Sequence, residues 1–437
     1  MKPETKIAFW YSAGRIAGRL RPRRRTATPW PPRQSATGIS VVIPSRNGKH
    51  LLAAQMPGIV RELERFTAEI IVVDNGSDDG TVEWLHSDWP QVQVETSTVP
   101  LSFARAVNRG IARAAYSHVC LLNNDMIIAA NFFAALVRAF EQVPNLFCAT
   151  AQILFPPGVR REETGKAVYF QPGPADFPIR CDEPIPGEDL TYVLYGSGGC
   201  SLYEAARLRA LGSIDPAYDP AYVEDLDIGY RAWQRGWPTV YVADAVLEHR
   251  HRATSSRYYT EEQLAEILEI NYLRFLARAV ASASVFRKLW EQALHRLSLR
   301  AAHKILRAAP WIALGGGPRS PADYSEDLIL ALGSGAIAVF PGHAPPAQPR
   351  ALIASLDFGG AHQPGAILVA LRDRLEPPPP EALAQYAEVV VVRRSGGTLA
   401  FRAALQQTVR KWRPEIARLD GPEMSQYSPD CAPASIV

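Results

Sequence analysis

The chain has 437 residues, more than one ordinary domain needs, so we expect two folded units. Hydrophobic residues make up 47% of the sequence and charged residues 21%. This balance is typical of a globular protein in water and excludes collagen-like, coiled-coil and generally disordered classes. The formal net charge is only +3, so the composition as a whole does not indicate a strongly anionic partner.

The cysteines and the apolar runs bear on location. Five scattered cysteines are present: Cys120, Cys148, Cys181, Cys200 and Cys431. They lack the close spacing of a zinc site or a disulfide framework, which favours a reducing cytoplasm. The longest weakly charged apolar run, 328–340, is interrupted by glycines and falls short of the roughly 20 residues that a membrane helix needs. We therefore expect no transmembrane span.

A basic N-terminal arm, residues 1–37, precedes the first strand. Its first 25 residues contain Lys2, Lys6, Arg15, Arg19, Arg21, Arg23, Arg24 and Arg25. Because apolar residues are mixed among them, the arm suits an anionic membrane surface, and the alternative is a solvated, frayed tail. It has no secretory signal features, so we expect a cytoplasmic protein, with peripheral contact at the inner face of the membrane if the arm binds there. Since the positive charge is confined to the arm, we expect no nucleic-acid partner.

Strands and helices alternate from Gly38 onwards. In chain order the pattern predicts strand 39–43, an amphipathic segment 49–66, strand 69–73, helix 80–86, strand 91–95, helix 102–115 and strand 118–122. Alternation of this kind requires helical crossovers between parallel strands. The predicted fold class is therefore α/β, with a doubly wound, mostly parallel sheet.

The rest of the chain divides by composition into further segments. The first domain covers 38–255 and includes a Pro- and Gly-rich loop at 156–190, of the kind that often forms a functional lid. Residues 256–310 are predicted to be a helical extension, which begins with a capping box of Thr260 and Gln263. Residues 311–350 are predicted to be a linker. Strands at 351–356, 366–371 and 389–392, with a helix at 400–411, predict a small, incomplete α/β segment at 351–437.

The first candidate site is an apolar strand that runs into an acidic turn, residues 72–81. Ligands of open parallel sheets bind beyond the carboxyl ends of the strands, where Asp74 is expected. Its carboxylate is suited to accept hydrogen bonds from a nucleobase or ribose. The alternative is a helix cap, which is our interpretation of Asp78 and Asp79.

A second strand, 118–122, ends in the polar cluster Asn123, Asn124 and Asp125. A hard divalent cation prefers oxygen ligands and often takes one or two carboxylates plus substrate phosphates, which makes Asp125 a candidate metal ligand. Asn123 and Asn124 would orient it or meet the ribose. The same residues also occur in ordinary turns, so a structural role stays open.

The most specific segment is 222–237. Apolar residues at helical spacing predict a helix that begins near Asp225 and ends at Gly236, so that Glu224 and Asp225 lie at its mouth. A carboxylate there is suited to take a proton from a substrate hydroxyl. The alternative is that Asp225 only caps the helix. For Asp227 we prefer a structural pairing with Arg231, one turn later.

Two further segments add candidate ligands. The glycine-rich run at 195–203 permits close approach of its backbone to a sugar or phosphate, although such runs are often plain strand bends. After the strand 239–247 comes Glu248-His-Arg-His-Arg252, in which an imidazole would complete a metal site and Arg250 or Arg252 would face a pyrophosphate. A solvated basic loop is the alternative.

The order of these segments resembles that of the family 2 glycosyltransferases with the A-type fold, and especially their rhamnosyltransferase-like members. The matching series is Val41-Val-Ile-Pro-Ser-Arg-Asn47, Val72-Val-Asp-Asn-Gly-Ser77, Phe103-Ala-Arg-Ala-Val-Asn-Arg-Gly110, Leu121-Leu-Asn-Asn-Asp125, Gly196-Ser-Gly-Gly199, Glu224-Asp225 and His249. The resemblance covers roughly residues 38–280.

This resemblance implies an inverting transferase that uses Mg²⁺ or Mn²⁺ and a nucleotide-sugar donor, and its rhamnosyltransferase-like character suggests a rhamnosyl donor. The acceptor would be a hydroxyl of a growing glycan or a lipid-linked saccharide. The implied donor-binding residues are Pro44, Ser45, Arg46, Asp74, Asn108, Asn123, Asn124, Gly198 and Gly199. Asp125 would match the last Asp of the Asp-x-Asp metal motif, with His249 joining the metal shell. Asp225 would match the general base, with Glu224 beside it.

The sequence departs from the family pattern at two positions, and one rival function stays open. Asn123 stands where the metal motif often has Asp, which lowers the negative charge at the metal. The segment Leu101-Ser-Phe103 lacks the glycine that relatives usually carry before the Phe. The segment from Ala351 resembles the start of a B-type glycosyltransferase, and we expect it to be catalytically inert. The rival is a non-catalytic nucleotide-sugar scaffold. A nucleotidyltransferase is disfavoured, because 44–48 is not a glycine-rich phosphate loop.

Overall fold

The structure is a computed structural model. It describes Phe9, Ser12 and residues 28–154, 161–162, 183–250, 259–279, 289–293, 295–296, 325–348, 350–359 and 363–436. Most of the basic arm, residues 155–160 and 163–182 of the long loop, and 251–258 lie outside these described residues. Among the described helices, none is both long and apolar enough to cross a membrane.

The first unit contains ten strands and seven helices in its described part. The strands are β1 (Ala36–Ser45), β2 (Ala68–Asp74), β3 (Gln93–Thr96), β4 (Tyr116–Leu122), β5 (Met126–Ile128), β6 (Cys148–Leu154), β7 (Arg161–Glu162), β8 (Thr191–Val193), β9 (Cys200–Glu204) and β10 (Thr239–His249). The helices are α1 (Lys49–Leu63), α2 (Thr81–Asp88), α3 (Phe103–Arg113), α4 (Phe132–Gln142), α5 (Ala205–Ala210), α6 (Glu224–Trp233) and α7 (Glu261–Ala279).

These ten strands form one sheet with the order β3-β2-β1-β4-β9-β6-β10-β5, in which β7 pairs with β6 and β8 with β10. Along the main path β3, β2, β1, β4, β6 and β10 run in one direction, while β9 and β5 run in the other. The large, mostly parallel sheet with helical crossovers confirms the predicted fold class.

Helices cover both faces of this sheet, which explains why its central strands are almost uniformly apolar. Val41, Val42 and Ile43 of β1 are fully buried, although they alternate between the two faces. One face packs on a core that includes residues of α1 and α4, and the other on a core that includes residues of α3 and α5. The sequence of a strand buried on both faces does not alternate between polar and apolar residues, so it does not indicate which side chains point to which face.

The helical extension begins as predicted. Thr260 and Gln263 form the reciprocal capping box at the start of α7: the Thr260 amide donates to Gln263 Oε1 at 2.8 Å, and the Gln263 amide donates to Thr260 Oγ1 at 3.2 Å. Farther along, Glu269 forms a buried, two-bond ion pair with Arg296, at 2.9 and 3.2 Å. This pair ties α7 to the helical residues near 289–296.

A second, six-stranded sheet follows. Its elements are α8 (Glu326–Leu332), β11 (Ile337–Pro341), β12 (Ala351–Ser355), β13 (Ile367–Arg372), α9 (Pro380–Gln385), β14 (Glu388–Arg393), α10 (Gly397–Trp412), β15 (Ile416–Leu419) and β16 (Ser435–Ile436). The strand order is β11-β14-β13-β12-β15-β16, and only the pairing of β11 with β14 is antiparallel among the described pairs. The strands and the helix predicted after Ala351 are confirmed.

The segment predicted to be a linker contains ordered elements, so that interpretation was wrong for its described part. Ser325 caps α8 by accepting a hydrogen bond from the Leu328 amide, and Ile329 and Leu332 are buried. The glycines and prolines that suggested a linker surround a short apolar strand, β11, which joins the second sheet. Burial against that sheet outweighs the local turn signals.

The two sheets contact each other through β8 and β11. The Asp189 amide donates to the carbonyl of Val339 at 3.0 Å, and the Val339 amide donates to Thr191 Oγ1 at 3.0 Å. Gly333 at the end of α8 lies against Leu194. The second sheet therefore abuts the chain segment that leads to the glycine-rich turn at 196–199.

Two helical glycines give a test of how tightly the first unit is packed. A Cβ at Gly110 of α3 would lie 2.3 Å from Cγ1 of Val42, whereas at Gly58 of α1 the nearest atom would be 3.9 Å away. We expect Gly110→Ala to lower the free energy of unfolding by about 1–3 kcal/mol through overpacking. Gly58→Ala should raise it by about 0.5–1 kcal/mol, because alanine restricts the unfolded chain. Urea denaturation of both variants measures this, and equal effects would show that α3 does not sit this close to β1.

Candidate active site

The candidate site residues meet at one edge of the first sheet. β1, β2, β4 and β10 run in the same direction and end at Ser45, Asp74, Leu122 and His249, while the antiparallel strand β9 begins at this edge with Cys200. The residues singled out in the sequence directly adjoin these ends. Parallel pairing therefore brings segments far apart in the chain to a common edge.

The donor side of this edge is built on β1 and β2. Ser45 is aligned with Asp74 in the strand register, as Pro44 is with Val73. Asp74 is only 3% exposed, and its Oδ2 accepts a hydrogen bond from the Ser77 amide at 3.2 Å. Its buried Oδ1 has no hydrogen-bond partner among the described residues. A buried carboxylate oxygen without a partner is costly unless a ligand satisfies it.

The turns after β1 and β2 are bonded to each other. The Asn47 amide donates to Ser77 Oγ at 2.8 Å, and the Asp78 amide donates to Asn47 Oδ1 at 2.8 Å. Asp79 accepts from the Lys49 and Thr81 amides at the starts of α1 and α2, which confirms its structural role. Arg46, which directly follows Ser45 in the chain, is half-buried.

The Asn123-Asn124-Asp125 segment is held from several sides. Asn124 Nδ2 donates to Ser45 Oγ at 2.9 Å, and the Asn123 amide donates to the Gly199 carbonyl at 2.8 Å. Gln55 of α1, fully buried, donates from Nε2 to the carbonyls of Asn123 and Met126, both at 2.7 Å. Gln55 was not predicted from the sequence, because a single amide on an apolar helix face has no motif around it.

Asp125 and His249 face each other across the pairing of β5 with β10. Asp125 Oδ2 lies 3.5 Å from His249 Nε2, and Met126 is aligned with His249 in the register. The Arg250 amide also donates to the Asp125 carbonyl at 2.9 Å. Within the described ranges, no group of three or more His, Cys, Asp or Glu side chains is arranged so that it could hold a metal ion. A carboxylate and an imidazole suit a divalent cation whose other ligands are substrate oxygens and water.

The glycine-rich turn at 196–199 lies between the Asn123-Asn124-Asp125 segment and the pair Glu224 and Asp225. A Cβ at Gly199 would lie 2.3 Å from Asn123 Nδ2, and one at Gly198 would lie 3.7 Å from the Cβ of Asp225. The absence of side chains at Gly198 and Gly199 therefore lets three segments approach closely. Phe103, at the start of α3, lies against the same turn: its ring atom Cε1 would be 3.3 Å from a Cβ at Gly198.

Glu224 and Asp225 occupy the first turn of α6, as predicted. Asp225 Oδ1 accepts from the Leu226 amide at 2.8 Å, and the Gly198 amide also bonds to this carboxylate. The two residues before the helix, Tyr222 and Val223, have φ angles of 72° and 77°. A β-branched residue rarely adopts this left-handed conformation, so the entry to α6 is strained.

Burial dominates the ionisation of this pair. Burial, followed by the neighbouring charge of Asp225, raises the pKa of Glu224 well above its ordinary range. Burial also raises the pKa of Asp225, but the amides of Leu226 and Gly198 oppose this by stabilising the carboxylate. Asp225 therefore ionises first, and its charge keeps Glu224 protonated to higher pH.

Two other residues have structural roles. Asp227 accepts hydrogen bonds from Tyr218 Oη at 2.8 Å and Arg231 Nε at 2.7 Å, which confirms the predicted pairing with Arg231. Asn108, expected at the donor site, donates from Nδ2 to the Ile214 carbonyl at 2.7 Å and accepts from the Ile214 amide at 3.2 Å. Both ends of its amide are thus bonded to the backbone, and we remove it from the proposed donor site.

Comparison with known proteins finds sequence relatives and structures similar to this chain. The chain is 24% identical over 257 residues to the uncharacterised protein y4gI of Sinorhizobium fredii, a match that covers 56% of this chain but only 28% of that protein. It is 27% identical over 249 residues to the N-acetylglucosaminyl-diphospho-decaprenol L-rhamnosyltransferase of Mycobacterium tuberculosis, which covers 49% of this chain and 80% of the relative. Among solved structures, that of S. aureus TarS 1-349 is similar with a TM-score of 0.41 and 15% identity, over 61% of this chain and 73% of that one.

A family model matches a large part of the chain. The model described as glycosyltransferase like family 2 matches residues 36–267, which is 232 of 437 residues. The matched region contains every candidate residue at the sheet edge, from Pro44 to His249. The chain therefore belongs to the glycosyltransferase-like family 2.

Proposed function

We propose that this protein is an inverting, metal-dependent glycosyltransferase that moves a sugar from a nucleotide-sugar donor to a hydroxyl of a growing glycan or lipid-linked saccharide. The observation that carries the proposal is the meeting of Asp74, Asp125 and Asp225 at one edge of the sheet. Hydrogen bonds and close contacts through Ser45, Asn124 and the 198–199 turn connect the three positions.

The residues at the carboxyl ends of β1 and β2 would bind the donor nucleotide. The unpartnered Oδ1 of Asp74 would accept a hydrogen bond from the base or ribose, which would satisfy an otherwise costly buried oxygen. Pro44 and Arg46 would border the nucleotide on either side of Ser45. Asn123, Asn124, Gly198 and Gly199 would shape the floor between the nucleotide and the sugar.

Asp225 would act as the general base. Its carboxylate is half-buried at the mouth of α6, and it ionises before Glu224. It would take the proton of the acceptor hydroxyl while that oxygen attacks the anomeric carbon. One such displacement inverts the anomeric configuration. Glu224, whose pKa is raised by burial and by the charge of Asp225, would remain protonated beside it.

Asp125 and His249 would hold Mg²⁺ or Mn²⁺ on the side of the diphosphate. A bound cation would stabilise the charge that develops on the departing nucleoside diphosphate. With Asn123 in place of a second acidic residue, the described side chains supply one carboxylate and one imidazole. The donor's phosphate oxygens therefore matter more for holding the ion, and we expect metal and donor to bind cooperatively.

The substrates and the location are proposed from different evidence. A rhamnosyl donor is the first to test, because the mycobacterial relative, matched over 80% of its length, is named as an L-rhamnosyltransferase. That relative's name also specifies a lipid-linked diphospho-sugar acceptor. The basic composition of residues 1–37 supports peripheral binding to an anionic membrane from the cytoplasmic side, where such an acceptor would be reached.

A non-catalytic scaffold that binds nucleotide sugars is the second candidate, and Asn123 favours it by weakening the metal site. Turnover separates the two functions. The scaffold is favoured if purified protein with Mg²⁺ or Mn²⁺ neither transfers nor slowly hydrolyses any common nucleotide sugar, although such a sugar raises its melting temperature.

The base role predicts the effect of Asp225→Asn. The variant keeps the size of the side chain but cannot accept the proton, so we expect kcat to fall by at least about 100-fold. The Kd for the donor, measured by calorimetry in the presence of metal, should change by less than about threefold. A variant that retains wild-type kcat, or that loses donor binding in parallel with activity, would contradict the assignment.

The metal role predicts a change in cation requirement. Asp125→Asn and His249→Ala should each raise the Mn²⁺ concentration needed for half-maximal activity by about 10-fold or more, because each removes a ligand. Asp244→Asn, an exposed carboxylate on β10 that pairs with Arg138, serves as the control and should leave the requirement unchanged. Identical Mn²⁺ titrations for all four proteins would exclude a cation at Asp125.

Burial of Glu224 predicts a pH-dependent stability. Its raised native pKa means that the native state binds more protons than the unfolded state above about pH 4, so stability is lost as pH rises towards the native pKa. Glu224→Gln removes this loss. The melting temperature of the variant should match the wild type near pH 4.5 and exceed it by about 2 °C or more at pH 8. A difference that does not grow with pH would show that Glu224 is not buried as described.

A further inference from the structure

A buried amide on α7 contacts the loop that leads into the carboxylate pair. Asn271 is 1% exposed, and its Nδ2 lies within hydrogen-bond distance of three backbone carbonyls: those of Tyr218 at 2.6 Å, Ala221 at 2.8 Å and Tyr222 at 3.1 Å. The amide of Asn271 therefore contacts backbone carbonyls at both ends of the five-residue turn 218–222. No sequence motif singles out Asn271.

The loop needs such support because its backbone is strained. Tyr222 and Val223 both have positive φ angles, and Val223 is the N-cap of α6, without any side-chain cap bond. Residues in this conformation persist only when their surroundings determine it. If either residue relaxed to the extended region, the first turn of α6 would rotate. Asp225 would then move away from the Gly198 amide that hydrogen-bonds to it.

The orientation of the Asn271 amide is itself determined. Arg274, one turn later on α7, donates from Nη1 to Asn271 Oδ1 at 2.8 Å and to the Ala217 carbonyl at 3.1 Å. The oxygen of the amide is therefore directed to Arg274, and the nitrogen to the loop. Both side chains bond to the backbone rather than to other side chains of the loop, so the arrangement acts on loop conformation directly.

α7 is anchored well enough to serve as the reference for this loop. The buried ion pair of Glu269 with Arg296 holds it from outside, and Phe275 packs edge-on against Tyr230 of α6 with ring centroids 5.3 Å apart. Movement of the loop relative to α7 is therefore opposed by contacts both before and after the carboxylates.

We propose that Asn271 is a positioning residue, which holds 218–223 in the strained conformation that directs the Asp225 carboxylate towards the acceptor. The inference rests on the proposed function of Asp225. Asn271 does not touch the reacting atoms in this role. It sets the direction from which the base approaches, while the donor-binding residues on β1 and β2 are untouched by its loss.

The test compares Asn271→Ala with Leu273→Ala, a fully buried apolar residue on the same helix. We expect Asn271→Ala to lower kcat by about 100-fold, the effect of displacing a catalytic group by roughly an ångström. The KM and Kd for the donor should stay within about threefold of wild type. Leu273→Ala should lower the melting temperature at least as much, yet leave kcat within about threefold. An Asn271→Ala enzyme with wild-type kcat, or a Leu273→Ala enzyme with the same loss of kcat, overturns the inference.

A milder variant covers the case in which Asn271→Ala does not fold. Arg274→Met removes the bonds to Asn271 Oδ1 and to the Ala217 carbonyl while keeping the apolar stem, and should lower kcat by about 5–10-fold, with KM for the donor unchanged. Unchanged kcat in this variant counts against the inference.

A separate readout distinguishes failure of this inference from failure of the proposed function. If the wild-type protein transfers no sugar, the proposed function fails, and hydrogen exchange of the amides of 219–226 then decides whether Asn271 orders the loop. Faster exchange in Asn271→Ala than in Leu273→Ala supports that ordering, and equal exchange overturns it.

Discussion

The parallel register of β1, β2 and β4 is the constraint on which the site depends. Ser45 aligned with Asp74, and β4 paired on the other side of β1, place three strand ends side by side. Once the strands are in register, the turns that follow them lie next to one another at the same edge of the sheet. A slip of one residue in β1 would turn Ser45 away from Asn124 and bury Pro44 in its place. The hydrophobic cores on both faces of the sheet therefore support the chemistry as well as the stability.

The acidic residues at this edge are held in different electrostatic surroundings, and this separates their roles. Asp225 receives two backbone amides, which favour its ionised form, whereas Glu224 is buried beside that charge and stays protonated. Asp227, two residues later, is neutralised by Arg231 and belongs to the core. Three carboxylates within four positions thus become an ionised carboxylate, for which we propose the role of base, a neutral acid and a structural ion pair. Local partners, rather than residue type, make this distinction.

The strand ends and the mouth of α6 were predictable because each has a local pattern: an apolar run that stops at a polar residue, or a helical repeat that begins after one. Asp74, Asp125 and Asp225 were singled out as candidates in this way. Gln55 and Asn271 were missed, since each is a lone amide whose partners are backbone carbonyls remote in the chain. Asn108 was predicted to bind the donor because it stands in a family motif, and the motif does not reveal that its amide bonds to the backbone of Ile214. The β11 strand was hidden by the turn residues around it.

The second sheet touches the first unit at two places that matter for the site. β11 bonds to Thr191 and Asp189, a few residues before the 196–199 turn, and Glu326 of α8 accepts a hydrogen bond from Gln234 at the end of α6, at 3.3 Å. Gly229 of α6 in turn packs against Leu194 and Tyr195, where a Cβ would come within 2.7 Å of backbone atoms. The helix α6, which carries Asp225, and the segment that leads to the 196–199 turn thus contact each other, and both also contact the second unit. The second sheet can therefore stabilise the position of Asp225, because it supports both elements that contact this carboxylate.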